Sequence, residues 1–312
     1  MAAWNDHQTL KSPTGANLAV RMSKAKGRRK ARAIVHINHG MAEHSVRYAR
    51  FADVLNKAGY HAIAQDHRGH GKTSAPDAPL GIFSNRDGAE KVLTDCHTVN
   101  AHARKTWPGL PVIWFGHSMG SIIGVNYCIR HSDTISGAVL WNSGVDGGAL
   151  LTVYKTLLKL ERMFKGSDVP SAIAQKLTFD AWNRKFAPNR TEFDWLSRDE
   201  AEVDKYVADP LCGFPCSVGL WLDVSSMIAT GASDRELGRI KNALAMNLLG
   251  GKADPCTDSG KAMTRLAARL RKTGIADLTV RTVPQTRHET LNEINRNEET
   301  ANLLAWLDSR FN

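Results

Sequence analysis

The chain has 312 residues, 42% hydrophobic and 23% charged, a balance that excludes general disorder. A formal net charge of +10 admits a polyanion, a membrane surface or an acidic substrate. Residues 1–50 hold 10 basic and 2 acidic side chains, so most of the excess is one cluster, Lys24, Lys26, Arg28, Arg29, Lys30 and Arg32, and it is not spread over the surface.

The elements follow in chain order. Residues 7–22 alternate around a Pro13–Ala16 turn and predict a β-hairpin. After the basic loop, Ala31–Asn38 predicts a short β-branched buried strand ending at His39-Gly40. Phe51, Val54, Leu55 and Ala58 share one face of a helix over Tyr48–Ala58, which Gly59 ends. A strand over Tyr60–Gln65 runs into Asp66-His67-Arg68-Gly69-His70-Gly71. A helix over Gly88–Lys105, a strand over Pro111–Phe115, a helix over Ser121–Arg130 and a strand over Gly137–Asn142 continue the alternation. Residues 145–240 then show helical stretches and no clear buried strand. The alternation resumes with a strand at Leu244–Leu249, a helix near Ser259–Lys272, a strand at Leu278–Val283 and a helix near Glu298–Asp308. This pattern predicts an α/β fold with a mostly parallel central sheet covered by helices on both faces. Residues 1–144 and 241–312 are expected to form the catalytic domain, and 145–240 an inserted helical cap.

Five scattered cysteines have neither the pairing nor the spacing of a disulfide framework or a zinc knuckle. The N-terminus lacks the pattern of a signal peptide, and no stretch nears about 18 consecutive apolar residues. The expectation is a cytoplasmic protein.

Gly116-His117-Ser118-Met119-Gly120 is a G-x-S-x-G pentapeptide, a weak signal that gains weight from a strand before it and a helix after it. The turn needs small residues two positions to either side of Ser118. The following helix N-terminus brings N–H groups and partial positive charge. Pro215-Cys216-Ser217-Val218-Gly219 has a similar shape but a proline for the first glycine and no preceding strand. A serine hydroxyl needs a base. Sheets of this kind place nucleophile, acid and histidine in that chain order. Of 12 histidines only His288 follows residue 131. Asp254, on the loop after the preceding strand, is the candidate acid. Asp258 reads as the N-cap region of the next helix, and Asp277 lies at the wrong end of its strand. The oxyanion amides are expected from Met119 and Met41.

His39-Gly40-Met41-Ala42-Glu43-His44-Ser45-Val46-Arg47-Tyr48 resembles the H-G-x-x-E-H-S-x-R-Y box of monoacylglycerol lipases and bacterial lysophospholipase-like α/β-hydrolases. Asp66–Gly71 resembles their D-x-R-G-H-G turn and Gly116–Gly120 their nucleophile elbow. Gly251–Pro255 resembles their acid loop and Arg287–Glu289 their histidine loop. The resemblance implies a Ser118, Asp254 and His288 triad with Met41 and Met119 as oxyanion amides. It also implies a lipid-like ester substrate and no cofactor. It does not extend to residues 145–240. There Leu150, Val153, Leu157, Leu158, Trp182, Phe186, Trp195, Phe214, Trp221 and Leu222 are candidates for core or pocket. Short-chain esters, amides and a non-catalytic ligand-binding role on the same fold are the alternatives.

Two other classes are disfavoured. Gly71-Lys72-Thr73 resembles the end of a phosphate-binding loop, but Asp66 stands where its first glycine belongs. His36, His39, His44, His67 and His70 lack metal-hydrolase spacing, so no metal is expected. No nucleic acid partner is expected. The basic cluster precedes the first central strand while active sites gather at strand C-termini, so its charge is poor evidence for an acidic substrate and reads first as a solvated loop. Weak, salt-sensitive peripheral contact with anionic membranes or polyanions is the most it would support. The sequence is silent on oligomeric state.

Overall fold

The computed structural model describes Trp4, residues 6–27 and residues 30–311. Its strands are β1 (Gln8–Lys11), β2 (Asn17–Ser23), β3 (Ala33–Asn38), β4 (Tyr60–Gln65), β5 (Val112–His117), β6 (Gly137–Trp141), β7 (Ala245–Gly251) and β8 (Leu278–Val283). They form one sheet in the order β1-β2-β4-β3-β5-β6-β7-β8. β1 and β2 are the predicted hairpin, and β2 meets β4 antiparallel. Every other pairing is parallel.

Helices α1 (Ala49–Lys57), α2 (Gly88–Thr106) and α3 (Met119–His131) fall between the early strands. Between β6 and β7 come α4 (Ala149–Lys165), α5 (Ala172–Leu177), α6 (Phe179–Asn183), α7 (Glu200–Ala208), α8 (Val218–Gly231) and α9 (Asp234–Leu237). α10 (Lys261–Lys272) precedes β8 and α11 (Arg296–Asp308) follows it. This is the α/β-hydrolase architecture.

The pleat divides the central strands between two cores, since alternate residues point to opposite faces. Ile34, Trp114, Leu140 and Leu248 pack with Val92, Cys96, Ile123 and Leu266 from α2, α3 and α10. Val35, Phe115, Val139 and Leu249 pack with Phe51, Leu55, Leu303 and Trp306 from α1 and α11. β3, β5, β6 and β7 are buried along their whole length, as a sheet covered on both faces requires. α3 is buried all round from Met119 to Ile129. α8 covers its outer side, where the Asn126 side chain donates to the Met227 carbonyl at 3.0 Å.

Several boundaries differ from expectation by one or two residues, and two of them are helix starts near the site. α3 begins at Met119, directly after the elbow, instead of near Ser121. α10 begins at Lys261 behind Gly260, whose φ of +83° lets the chain turn into the helix two residues later than predicted. Asp258 is therefore not its N-cap; its carboxylate binds Arg265 at 2.9 Å. In the basic cluster, Arg28 and Arg29 lie outside the described residues. Lys26 pairs with Asp53 and Arg32 with Asp308, before β3 and away from the loop that follows it. No helix among the described residues is long and apolar enough to cross a membrane.

Candidate active site

β5 ends at His117, α3 begins at Met119, and Ser118 is the single residue between them, at φ 53°. A non-glycine residue at positive φ is uncommon and strained. The flanking glycines have a steric reason. A Cβ on Gly116 would lie 2.4 Å from the Gly120 carbonyl oxygen, and one on Gly120 would lie 2.1 Å from that of Asn38. The turn is tied down by the Ser118 N–H, which donates to Trp141 O at 2.9 Å. The Ser121 hydroxyl lies 2.6 Å from Gly116 O and 2.8 Å from Trp141 O.

The Ser118 Oγ lies 2.9 Å from His288 Nε2, across 170 residues of chain. His288 Nδ1 lies 3.0 and 3.1 Å from the two oxygens of Asp254. An ionised carboxylate only accepts, so the proton sits on Nδ1 and Nε2 is free to accept from the serine. Asp254 is fully buried. It also accepts from the Cys256 N–H at 2.9 Å and from Asn142 Nδ2 at 3.4 Å. Asn142, at φ 55°, is itself oriented by Thr290, whose hydroxyl donates to it at 2.8 Å. The competing carboxylates are elsewhere: Asp258 on Arg265 and Asp277 on Arg310.

Met41 and Met119 share a cavity wall with Ser118. Among the described residues, no acceptor engages either amide. The peptide before Met41 is fixed from behind. The His67 N–H donates to His39 Nε2 at 2.9 Å, which leaves His39 Nδ1 to donate to Gly40 O at 2.7 Å. In a trans peptide the C=O and N–H point opposite ways, so holding the Gly40 carbonyl aims the Met41 N–H.

The cavity measures about 170 Å³, and none of its lining residues is charged. Trp182 and Trp221, both singled out in the sequence, line it. Leu150 and Val153 do not; they are 86% and 57% exposed. Phe214 instead packs against His70, ring centroids 5.3 Å apart. Tyr154, Phe179, Val224 and Ile228 line the cavity and were missed, because nothing in a helical apolar pattern separates a wall residue from a core residue. Asn142, Glu43, Arg47 and Glu289 were also missed as parts of the site. For Glu43 and Arg47 the signal was their i,i+4 spacing beside Gly40.

Burial keeps the neighbouring histidines neutral. His117, whose ring centroid is 5.0 Å from that of His288, is pushed down to about 4 by desolvation, reinforced by the His288 charge. Burial also pushes His36 down to about 4 and His70 to about 3. Among the described residues, two groups of three ligand-type side chains bring their donor atoms within 4.8 Å of one another: His44, Asp209, Cys212 and Asp254, Cys256, His288. In the first, His44 Nε2 already pairs with Asp209 at 2.8 Å. The second contains the acid and base candidates themselves. The look-alike motifs have structural partners. The Ser217 side chain caps α8 by accepting from Leu220 N–H, and the Lys72 N–H donates to Asp66 Oδ2 at 2.8 Å.

Sheet order and elbow define an α/β-hydrolase, one similar to lipases and esterases. The family model described as "Serine aminopeptidase, S33" matches residues 29–295, and the chain belongs to that family. It is 28% identical over 307 residues to the monoglyceride lipase of Homo sapiens, covering 94% of this chain and 90% of that protein. It is 29% identical over 182 residues to a monoglyceride lipase homolog of monkeypox virus, which covers 58% of this chain and 56% of that protein. A thermostable carboxyl esterase from Bacillus coagulans, solved with glycerol, superposes with a TM-score of 0.89 at 24% identity over 98% of each chain. That likeness speaks for the fold alone.

Two outcomes are expected. Gly120→Ala forces the elbow off Asn38; it should cost roughly 1–3 kcal/mol of stability and at least about tenfold in kcat on a p-nitrophenyl ester. An unchanged kcat would show that the close approach is dispensable. The buried histidines set an acid limit on stability. Between their ordinary value of 6.5 and about 4, the unfolded chain binds protons that the folded chain refuses. Stability therefore falls as pH drops through that window, by up to about 1.4 kcal/mol per pH unit for each such histidine. Thermal unfolding from pH 7 to pH 4.5 measures this; a flat Tm would contradict it.

Proposed function

We propose that the chain is a serine hydrolase of carboxylic esters with lipid-like acyl groups, such as a monoacylglycerol or a lysophospholipid. Ser118 Oγ attacks the ester carbonyl while His288 Nε2 takes its proton, and Asp254 steadies the resulting imidazolium. The negative charge on the former carbonyl oxygen is held by the N–H groups of Met41 and Met119. Collapse breaks the ester C–O bond, and His288 returns the proton to the departing alkoxide. Water, deprotonated by His288, then releases the acid and frees Ser118. Residues 1–144 and 241–312 carry this chemistry, and 145–240 cap the acyl site.

The observation that carries the reading is the 2.9 Å contact from Ser118 Oγ to His288 Nε2, beside an uncharged, largely apolar cavity. The lining also weighs between esters and peptides. An aminopeptidase, as the family description has it, needs a free acidic group to receive the substrate ammonium; this cavity lining contains none, and Glu43 and Glu289, which line the smaller cavity beside Ser118 and His288, are already paired with Arg47. An acyl chain needs only the apolar walls that Phe179, Trp182 and Trp221 supply. The human and viral relatives are named for monoglyceride cleavage, which favours the same substrate class.

Ser118→Ala should keep its melting temperature and lose roughly 10⁴-fold or more in kcat. Retention of most turnover would remove Ser118 as nucleophile. Absence of fluorophosphonate labelling of Ser118 in the unaltered chain would favour a non-catalytic binding role. On p-nitrophenyl esters of increasing length, kcat/KM should peak beyond four carbons. A maximum at two to four would point to a short-chain esterase, and faster cleavage of aminoacyl p-nitroanilides to a peptidase.

A further inference from the structure

The loop that carries Met41 follows β3 and the loop that carries His288 follows β8. Three strands, β5, β6 and β7, separate them in the sheet. Sheet hydrogen bonding therefore does not set one loop against the other. A buried ionic bridge does. Glu43 Oε1 accepts from the Gly40 N–H at 2.5 Å and from the Tyr48 hydroxyl at 2.9 Å. Its other oxygen accepts from Arg47. Arg47 reaches across to Glu289, the residue after His288, with its two terminal nitrogens 2.6 and 2.7 Å from the two carboxylate oxygens. The Arg47 side chain is 11% exposed, and the Glu43 and Glu289 side chains 3% and 6%. The guanidinium also lies 4.8 Å from the centroid of the Tyr206 ring, whose hydroxyl donates to Ala42 O in the same loop.

Two carboxylates and one guanidinium out of water are a costly way to stabilise a fold, and apolar side chains of similar volume often serve as well. Their placement is more specific than stability requires. One carboxylate fixes the peptide immediately before the Met41 amide, and the other is covalently next to the base. A planar, bidentate guanidinium fixes direction as well as distance, which a single ammonium does not.

We propose that Arg47 is a positioning residue that bridges Glu43 and Glu289, holding the Met41 amide and the His288 imidazole in one frame. The proposal rests on the roles given above to Ser118, His288 and Met41. Losing the bridge lets both loops drift by a fraction of an ångström, which is felt by the transition state more than by the bound ester.

The test compares Arg47→Met, Arg47→Lys and Glu289→Gln with the unaltered enzyme. It measures kcat and KM on a p-nitrophenyl ester, affinity for an alkyl boronic acid, Tm, and the response to millimolar guanidinium. Arg47→Met should lose about 10²-fold in kcat with KM held within about threefold, and boronic acid binding should weaken in proportion. Guanidinium should restore at least about fivefold of that loss without raising Tm, and Arg47→Lys should fall between. If Arg47→Met does not fold, the two milder variants decide. A kcat within about threefold in every folded variant overturns the proposal, as does a loss confined to KM or a loss that tracks Tm with no guanidinium response. Slower but still complete fluorophosphonate labelling of Ser118 is expected in each variant. No labelling of the unaltered enzyme would instead remove the nucleophile on which the proposal stands.

Discussion

The close approach of the β5–α3 turn to the end of β3 decides what else can happen in this molecule. Gly120 rests against the carbonyl of Asn38 with no room for a side chain. β3 and β5 are hydrogen-bonded neighbours, with Asn38 beside Gly116, so the first turn of α3 sits directly over the loop that leaves β3. Met41 and Met119 thereby line one cavity, although they lie 78 positions apart in the chain. The same crowding drives Ser118 to positive φ, a strain of order 1–3 kcal/mol that the bonds to Trp141 O offset. Asp254 and His288, the proposed acid and base, then follow β7 and β8, beyond β6 in the sheet, whose C-terminal ends open on the same side.

The segment between β6 and β7 does more than roof the cavity. It grips both loops of the site. The Ala42 carbonyl accepts from the Tyr206 hydroxyl and from the Gly213 N–H, each at 2.9 Å, and His44 pairs with Asp209. On the histidine side, the Glu289 N–H donates to Leu196 O at 2.7 Å, and Arg287 reaches Asp194 O and Ser197 O. Trp195 stands 4.7 Å from His288, ring centroid to ring centroid. A displacement of these residues would pull on the loops that carry Met41 and His288, the proposed oxyanion donor and base. Geometry in the cap and geometry at the reacting atoms are coupled through hydrogen bonds, and any rearrangement that admits substrate must leave these anchors in place or break them.

What the sequence made legible follows from how local each signal is. Strand and helix periods, the glycines around Ser118 and the order of serine, aspartate and histidine are properties of short segments or of chain order, and they placed the sheet and the Ser118, His288 and Asp254 contacts. Helix starts were less legible. Gly260 enters α10 at positive φ and Met119 begins α3 on the elbow itself, and both depend on neighbours far along the chain. The cavity wall was least legible. Tyr154 on α4 and Trp221 on α8 meet at ring centroids 6.5 Å apart only because those helices cross, and no periodicity encodes a crossing. Glu289 was quoted beside His288, but its partner Arg47 lies 242 residues earlier, so the bridge existed in the sequence only as two unrelated charges.

The charge that dominates the composition has little part in the site, and the reason is electrostatic as well as geometric. The described members of the basic cluster stand before β3, and the loop of the site stands after it. At the site the sign matters more than the amount. In the proposed mechanism His288 takes the serine proton and becomes a cation in a buried setting. A second cation nearby without carboxylate partners of the kind Arg47 has would raise the barrier, because charges interact strongly where water is excluded. His117, one residue before the nucleophile, is the near candidate for such a repulsion, and burial holds it neutral well below physiological pH. Asp254, fully buried and on His288 Nδ1, supplies the compensating charge. The acidic partner of the imidazolium is thus placed, and its nearest competitor neutralised, before any substrate arrives. Such preorganisation lowers the barrier without costing reorganisation at the moment of reaction.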